Sequence, residues 1–266
     1  ATATAIAASV QAAIALLPDC AFTALAAVGV VTLTAKSKGT VANGVPISAV
    51  SNTTGVTAAA VQPVGGLTDP DLTTALASVF TSSLEIITWP YNNQTALTTL
   101  RTHLAARGAA LEMRGAVGVY GFIGSLANAT TLAGQINHER ITCGFLPGSP
   151  TPAYELAAAY AAVISFEEDP ARPLNNLALT PVAVPGLSSR LSRTEQEACL
   201  ANGVTPMEVG PGEVVQIVRA ITTYTLDPQA ILDIAWLDLT TIRTMDYVRI
   251  SVRTRLALRF PRDKLS

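Results

Sequence analysis

The sequence predicts an α/β protein: a mostly parallel sheet with helices on both faces, preceded by a small α+β unit and followed by a second α+β segment. Three observations predict it. Between Leu84 and Ser165, short β-branched and aromatic runs alternate with helical patterns roughly 10–15 residues long. Ahead of them lie one run of helix formers and several short β candidates. Behind them, two β-branched runs flank Gly210-Pro211-Gly212, and a long helical pattern follows. The corresponding divisions are 1–63, 64–185 and 186–266.

In chain order, Ala3–Leu17 is predicted helical, with Ile6, Val10, Ile14 and Leu17 on one stripe and Pro18-Asp19 as its stop. Ala21–Ala27 and Val30–Ala35 follow as strands, then a polar loop, KSKGTVANG. Val45–Val50 and Val56–Val61 are further β candidates around Asn-Thr-Thr-Gly. The pattern changes at Gly65–Pro70. A strand at Leu84–Thr88 leads into a helix from Gln94, with Leu97, Leu100 and Leu104 inward and Gly108 as its stop. Then come a strand at Ala116–Tyr120, a helix at Leu126–Ile136 and a strand at Ile141–Phe145. A helix to about Ser165 is led by Thr151-Pro152, with proline at its first position. After a proline-punctuated connector, Ser192-Arg193-Thr194-Glu195 forms a capping box for a helix to Ala201, with Gly203 beyond it. Val204–Val209 and Val214–Thr225 read as a hairpin.

The last helix carries Ile242, Met245, Val252 and Leu256 on one stripe. It also carries charge. Arg243, Arg249, Arg253, Arg255, Arg259, Arg262 and Lys264 stand against Asp246 and Asp263, a net of +5. The whole chain is −2, so everything else carries −7. A basic helix on an acidic remainder is a docking face for an acidic partner, or a solvated face paired internally with carboxylates such as Glu195, Glu197 or Asp238.

Charged residues make up only 14% of the 266 residues, against about a quarter in ordinary globular chains. An Ala/Thr-rich, poorly charged surface suits burial against copies of itself; an ordinary Ala-rich α/β protein has the same composition. The uncharged run from Cys20 to Ala35 is shorter than the ~20 apolar residues of a spanning helix. No positive segment precedes it, so neither a membrane insertion nor a signal peptide is expected. The widely spaced Cys20, Cys143 and Cys199 form no metal pattern and fit a reducing compartment as buried thiols.

Candidate chemistry is sparse. A Ser-His-Asp site needs a histidine between serine and acid. His103 lies in the Leu97–Arg107 helix, His138 precedes a strand, and GxSxG is absent. Ser125 sits at a strand-to-helix turn and reads as a helix cap. Gly118, Gly121 and Gly124 fall short of GxGxxG and of the P-loop pattern. Glu167-Glu168-Asp169 reads as a solvated helix end, because hard cations need more oxygen donors at fixed spacing. Basic residues without interleaved aromatics, and a pI near 5.7, argue against nucleic acid. No cofactor, metal or catalytic residue is expected.

An ordered series of segments carries a resemblance: AKSKGTVANG, GGLTDPDL, SPTPAYELAAAYAA, DPARPLNNLAL, RTEQEACLANGV, EVVQIVRAITTYT and DYVRISVRTRLALRFPRDKL. In this order, from about residue 30 onward, they resemble the contractile tail sheath proteins of Mu-like bacteriophages. The resemblance implies a subtilisin-like sheath core and a C-terminal sheath domain. It implies a structural subunit, not an enzyme, wrapping a tail tube as helically stacked hexameric rings. Contraction would drive the tube through the host envelope, and terminal arms would add strands to neighbours' sheets. The location implied is the virion tail, with the host cytoplasm during assembly. The chain stops at Ser266, where the family usually continues, so it is expected to be a core fragment and, by itself, a monomer. A related contractile injection apparatus and a cytosolic α/β enzyme are the alternatives.

Overall fold

A computed structural model describes residues 2–260, in two units, 1–70 and 71–266. The first unit opens with α1 (Ala3–Ala15), capped by Thr2, whose hydroxyl accepts from the Ala5 N–H. It packs beside an antiparallel hairpin, β1 (Phe22–Ala27) and β2 (Val30–Ala35). The two-residue turn, Val28-Gly29, has φ of 45° and 81°, the twist that tight hairpins require. Of the predicted α1 stripe, Val10 and Leu17 are exposed, and Ala7 is the buried residue.

The two β candidates that follow form no ladder, and the reason is chemical. Val56 N–H donates to Thr53 C=O across a turn with Gly55 at φ 83°, so the chain does reverse there. Side chains supply the rungs. The Gln62 amide bonds both the N–H and the C=O of Ile47, the Asn43 amide does the same at Gly66, and Asp69 accepts from Thr40. All three pairs keep one register, in which Pro46 falls opposite Pro63. Prolines on both sides of one rung remove the donors a ladder needs.

The second unit is built on a five-stranded sheet. Its elements are α2 (Thr73–Ser78), β3 (Ile86–Trp89), α3 (Gln94–Gly108), β4 (Val117–Phe122), α4 (Leu126–Ile136), β5 (Ile141–Phe145), α5 (Ala153–Phe166), α6 (Arg193–Ala201), β6 (Thr205–Gly210), β7 (Val214–Ile217) and α7 (Leu239–Arg259). The strand order is β3-β4-β5-β6-β7, parallel except for the β6–β7 hairpin. Period-2 alternation splits the sheet's side chains between two cores. Val117, Val119 and Met207 pack with α5 and with Leu239 and Ile242 of α7. Tyr120, Cys143 and Phe145 pack with α3, α4 and Cys199 of α6.

Most predicted elements stand within two residues of their expected places, and α2 is an addition. Pro152 is the N-cap of α5 and not its first helical residue. The predicted strand from Val214 to Thr225 ends at Ile217. Beyond it the threonines serve the core instead of a ladder. Ile221 N–H donates to the Thr205 hydroxyl, Thr142 donates to Ile221 C=O at 2.6 Å, and Thr223 N–H donates to Ile141 C=O. Arg107, fully buried at the end of α3, donates to the carbonyls of Val79, Phe80, Ser82 and Leu84 and so shapes the approach to β3.

A candidate docking helix

α7 starts at Asp238, whose carboxylate takes both arms of Arg219, at 3.0 and 2.8 Å. Leu239 and Ile242 are buried in the α5-side core, and Leu239 N–H donates to Ala220 C=O. One turn on, Arg243 Nη2 donates to Glu167 C=O at 2.8 Å. Burial pushes the Arg243 pKa down, against the pull of Glu85, Glu167 and Asp169. Asp246 then closes the attachment. It accepts both guanidinium nitrogens of Arg140, at 2.6 and 3.0 Å, with Arg140 almost wholly buried. Burial disfavours the Arg140 charge, but the bonds to Asp246 outweigh it and hold the pKa above the ordinary arginine value. The pair fits because two glycines make room. A Cβ on Gly115 would overlap the Asp246 carboxylate, and one on Gly108 would stand 2.8 Å from Arg140 Nε.

Beyond Asp246 the helix leaves the body. From Tyr247 to Phe260 no residue is buried. At about 100° per residue, its apolar side chains fall on two opposed stripes. Met245, Val248, Val252 and Leu256 form one; Tyr247, Ile250 and Leu258 form the other, with Leu258 78% exposed. The stripe expected from spacing is therefore real, but only Ile242 of its four residues is buried.

The basic residues divide the same way. Arg243 and Arg249 are engaged within the chain, Arg249 with Asp246 at 3.6 Å. Arg253, Arg255 and Arg259 have no carboxylate within 4 Å among the described residues; Arg259 lies over the Phe260 ring at 5.7 Å. Arg262 and Lys264 fall outside the described residues. Of the three carboxylates considered for internal pairing, Asp238 is taken by Arg219 and Glu195 by its Ser192 capping box, and Glu197 has no arginine of α7 within 4 Å among the described residues. Arg140 and Asp246 were not legible as a pair, because 106 residues separate them.

The candidate catalytic groups are held in structural roles. Ser125 caps α4, accepting from Asn128 N–H. His103 is buried edge-on to Phe80, and burial, then Arg107, push its pKa down. His138 is buried and its Nδ1 accepts from Arg140 N–H. Burial raises the thiols of Cys143 and Cys199 to about 12. Among the described residues no group of three His, Cys, Asp or Glu is placed to hold a metal, and no helix is long and apolar enough to cross a membrane.

Known proteins are similar to this chain. Residues 65–223 match the family described as phage tail sheath protein, central domain. A Mu-like prophage tail sheath protein of Haemophilus influenzae is 30% identical over 272 residues, which cover 100% of this chain and 56% of that protein. The chain thus spans about half the length of the curated relative it matches. In fold it is similar to sheath tail proteins of Desulfitobacterium hafniense and Listeria innocua. Each has a TM-score of 0.52 at 14% identity, covering 89% and 91% of this chain and 51% and 56% of theirs. The contracted helical sheath of the anti-feeding prophage has a TM-score of 0.50 at 15% identity, over 73% of this chain and 53% of its own. With more than half its length inside the family's central domain, the chain belongs to the phage tail sheath family.

Proposed function

We propose that this chain is a structural, non-catalytic part of a contractile tail sheath. It packs with copies of itself, as helically stacked hexameric rings, around a tail tube, and rearranged subunit contacts drive the tube through the host envelope. The observation that carries this reading is the family match across the sheet, joined to an α7 arm on which Arg253, Arg255 and Arg259 have no carboxylate within 4 Å among the described residues and no apolar side chain is buried. Arg253, Arg255 and Arg259, with Arg262 and Lys264 next in sequence, form the interface; Arg243 and Arg249 set its base. We assign β3, β4 and β5 with their helices to a subtilisin-like sheath core within 64–185, the 186–266 segment, whose β6 and β7 extend the same sheet, to the C-terminal sheath domain, and 1–63 to a smaller unit ahead of them. The working location is the virion tail, reached by assembly in the host cytoplasm. Likeness to the anti-feeding prophage sheath supports a second reading, the sheath of a related injection apparatus.

The test is assembly. The protein is co-expressed with its tube protein and viewed by negative stain. Tubes or rings are expected, and their absence overturns the reading. Arg253→Glu with Arg255→Glu is expected to leave circular dichroism unchanged and to abolish assembly. The 266-residue chain alone is expected to be a monomer or weak oligomer, because one stripe of a short helix covers far less than the ~800 Å² per partner of a stable complex. A tight closed hexamer in light scattering contradicts that.

A further inference from the structure

We propose that the projecting half of α7 docks onto the 226–238 loop of a second copy of this chain, head to tail. This rests on the reading of α7 as an assembly surface and names its partner. The segment Thr225–Asp238, TLDPQAILDIAWLD, holds three aspartates and no lysine or arginine. Asp238 is paired with Arg219. Asp227 accepts from the N–H groups of Gln229 and Ile231, and Asp233 from the Tyr224 hydroxyl and Ala235 N–H. Neither has a cation within 4 Å among the described residues. Between these carboxylates, Ile231, Leu232 and Ile234 are 63%, 81% and 79% exposed, and Trp236 is exposed beside them.

The loop is also held in shape. The Asn137 amide accepts from Thr225 and Leu226 N–H and donates to Leu226 C=O at 2.8 Å, and Leu226 bridges Leu232. It is an apolar knob flanked by two carboxylates that have no cation within 4 Å among the described residues, Asp227 and Asp233, and the arm is an apolar rod carrying three guanidiniums that have no carboxylate within that distance, Arg253, Arg255 and Arg259. Each supplies what the other lacks.

One chain cannot join them to itself. The loop ends where α7 begins. At about 1.5 Å per residue, Arg253 stands about 22 Å and Arg259 about 31 Å from Asp238 along the helix. Two arms do not suit each other either, since like charges face like. In the other acidic run, Glu167 is engaged, with Arg172 3.6 Å from its carboxylate and Arg243 on its carbonyl. A contact between unlike patches passes from copy to copy, closing into a ring or running on as an open helix. The arm, about 21 Å long over 14 residues, makes each contact weak, and repetition along a lattice multiplies it.

The experiment is directed crosslinking in a Cys20→Ser background; the buried Cys143 and Cys199 stay. One preparation carries Leu256→Cys, the other Leu232→Cys. They are mixed at high concentration with a mild oxidant and read on a non-reducing gel. Mixed dimers are expected to exceed both self-dimers about tenfold, and to fall about tenfold when Arg253→Glu and Arg255→Glu join Leu256→Cys. They are expected to return when Gln229→Lys and Ala235→Lys join Leu232→Cys; Asp227 and Asp233 stay because they hold the loop. Circular dichroism confirms that each variant folds. Mixed dimers at the statistical level, or insensitive to either charge change, overturn the proposal. If arm reversal abolishes assembly while crosslinking stays statistical, the docking arm stands and this partner falls. If arm reversal leaves assembly intact, both fall.

Discussion

The two halves of α7 share one helix and obey different rules. From Leu239 to Asp246 the side chains meet a core, a carbonyl and a buried guanidinium. From Tyr247 to Phe260 none is buried, although the sequence is no less apolar. Helical periodicity alone does not say which half is packed. What separates them is Asp246, the last residue with a strong tie to the body.

Breaking that tie is the largest effect to expect. Asp246→Ala leaves the Arg140 charge buried without its partner and is expected to cost about 3–5 kcal/mol by denaturant unfolding. Leu256→Ala, on the projecting half, is expected to fall within about 0.5 kcal/mol. Equal costs would erase the distinction between the halves. Next is Ile242→Ala, expected to cost about 2–4 kcal/mol through the cavity it leaves, against near neutrality for Val252→Ala. Gly115→Ala should follow at about 1–3 kcal/mol, because its methyl displaces the Asp246 carboxylate.

Acid gives the smallest and most selective probe. Burial lowers the His138 pKa, Glu139 pulls it up, and Arg101 and Arg140 lower it further. A histidine whose folded pKa is depressed binds more protons when unfolded, so stability is present above the unfolded value of about 6.5 and is lost as pH falls below it. Protonation also removes the Nδ1 acceptor from Arg140 N–H. Hydrogen-exchange protection, corrected for the intrinsic pH dependence of the rate, is expected to fall between pH 7.5 and 5.5 at Arg140 and across residues 239–246, and to stay low and unchanged across 250–260. Uniform change along α7 would show that His138 does not support the anchor.

The fold was largely legible because its signals are local. Ser192 with Glu195, the turn before Val30, and the alternation from Ile86 to Phe166 each act over a few residues. Misses came where distant groups decide. Pro46 opposite Pro63 turns two strand-like runs into a ribbon stitched by Gln62 and Asn43. Thr222 and Thr223 spend their hydrogen bonds inside the core, so β7 ends early. Arg107 reads as one more helical arginine until four carbonyls surround it. At the candidate site the charge excess was legible by counting, but its division into engaged and free arginines was not.

The residues alone specify most of the elements, though not α2 or the fate of the two strand-like runs after β2, together with the mostly parallel α/β class, the family's ordered segments and the +5 excess on the last helix. These are properties of composition, period and short-range spacing, which act before the chain is folded. Where that helix stops being part of the body is set by contacts between residues far apart in the chain. Arg140 and Asp246 meet across 106 residues, in space that Gly108 and Gly115 leave open. A desolvated ion pair fixes the helix up to Asp246, and beyond it no side chain of α7 is buried.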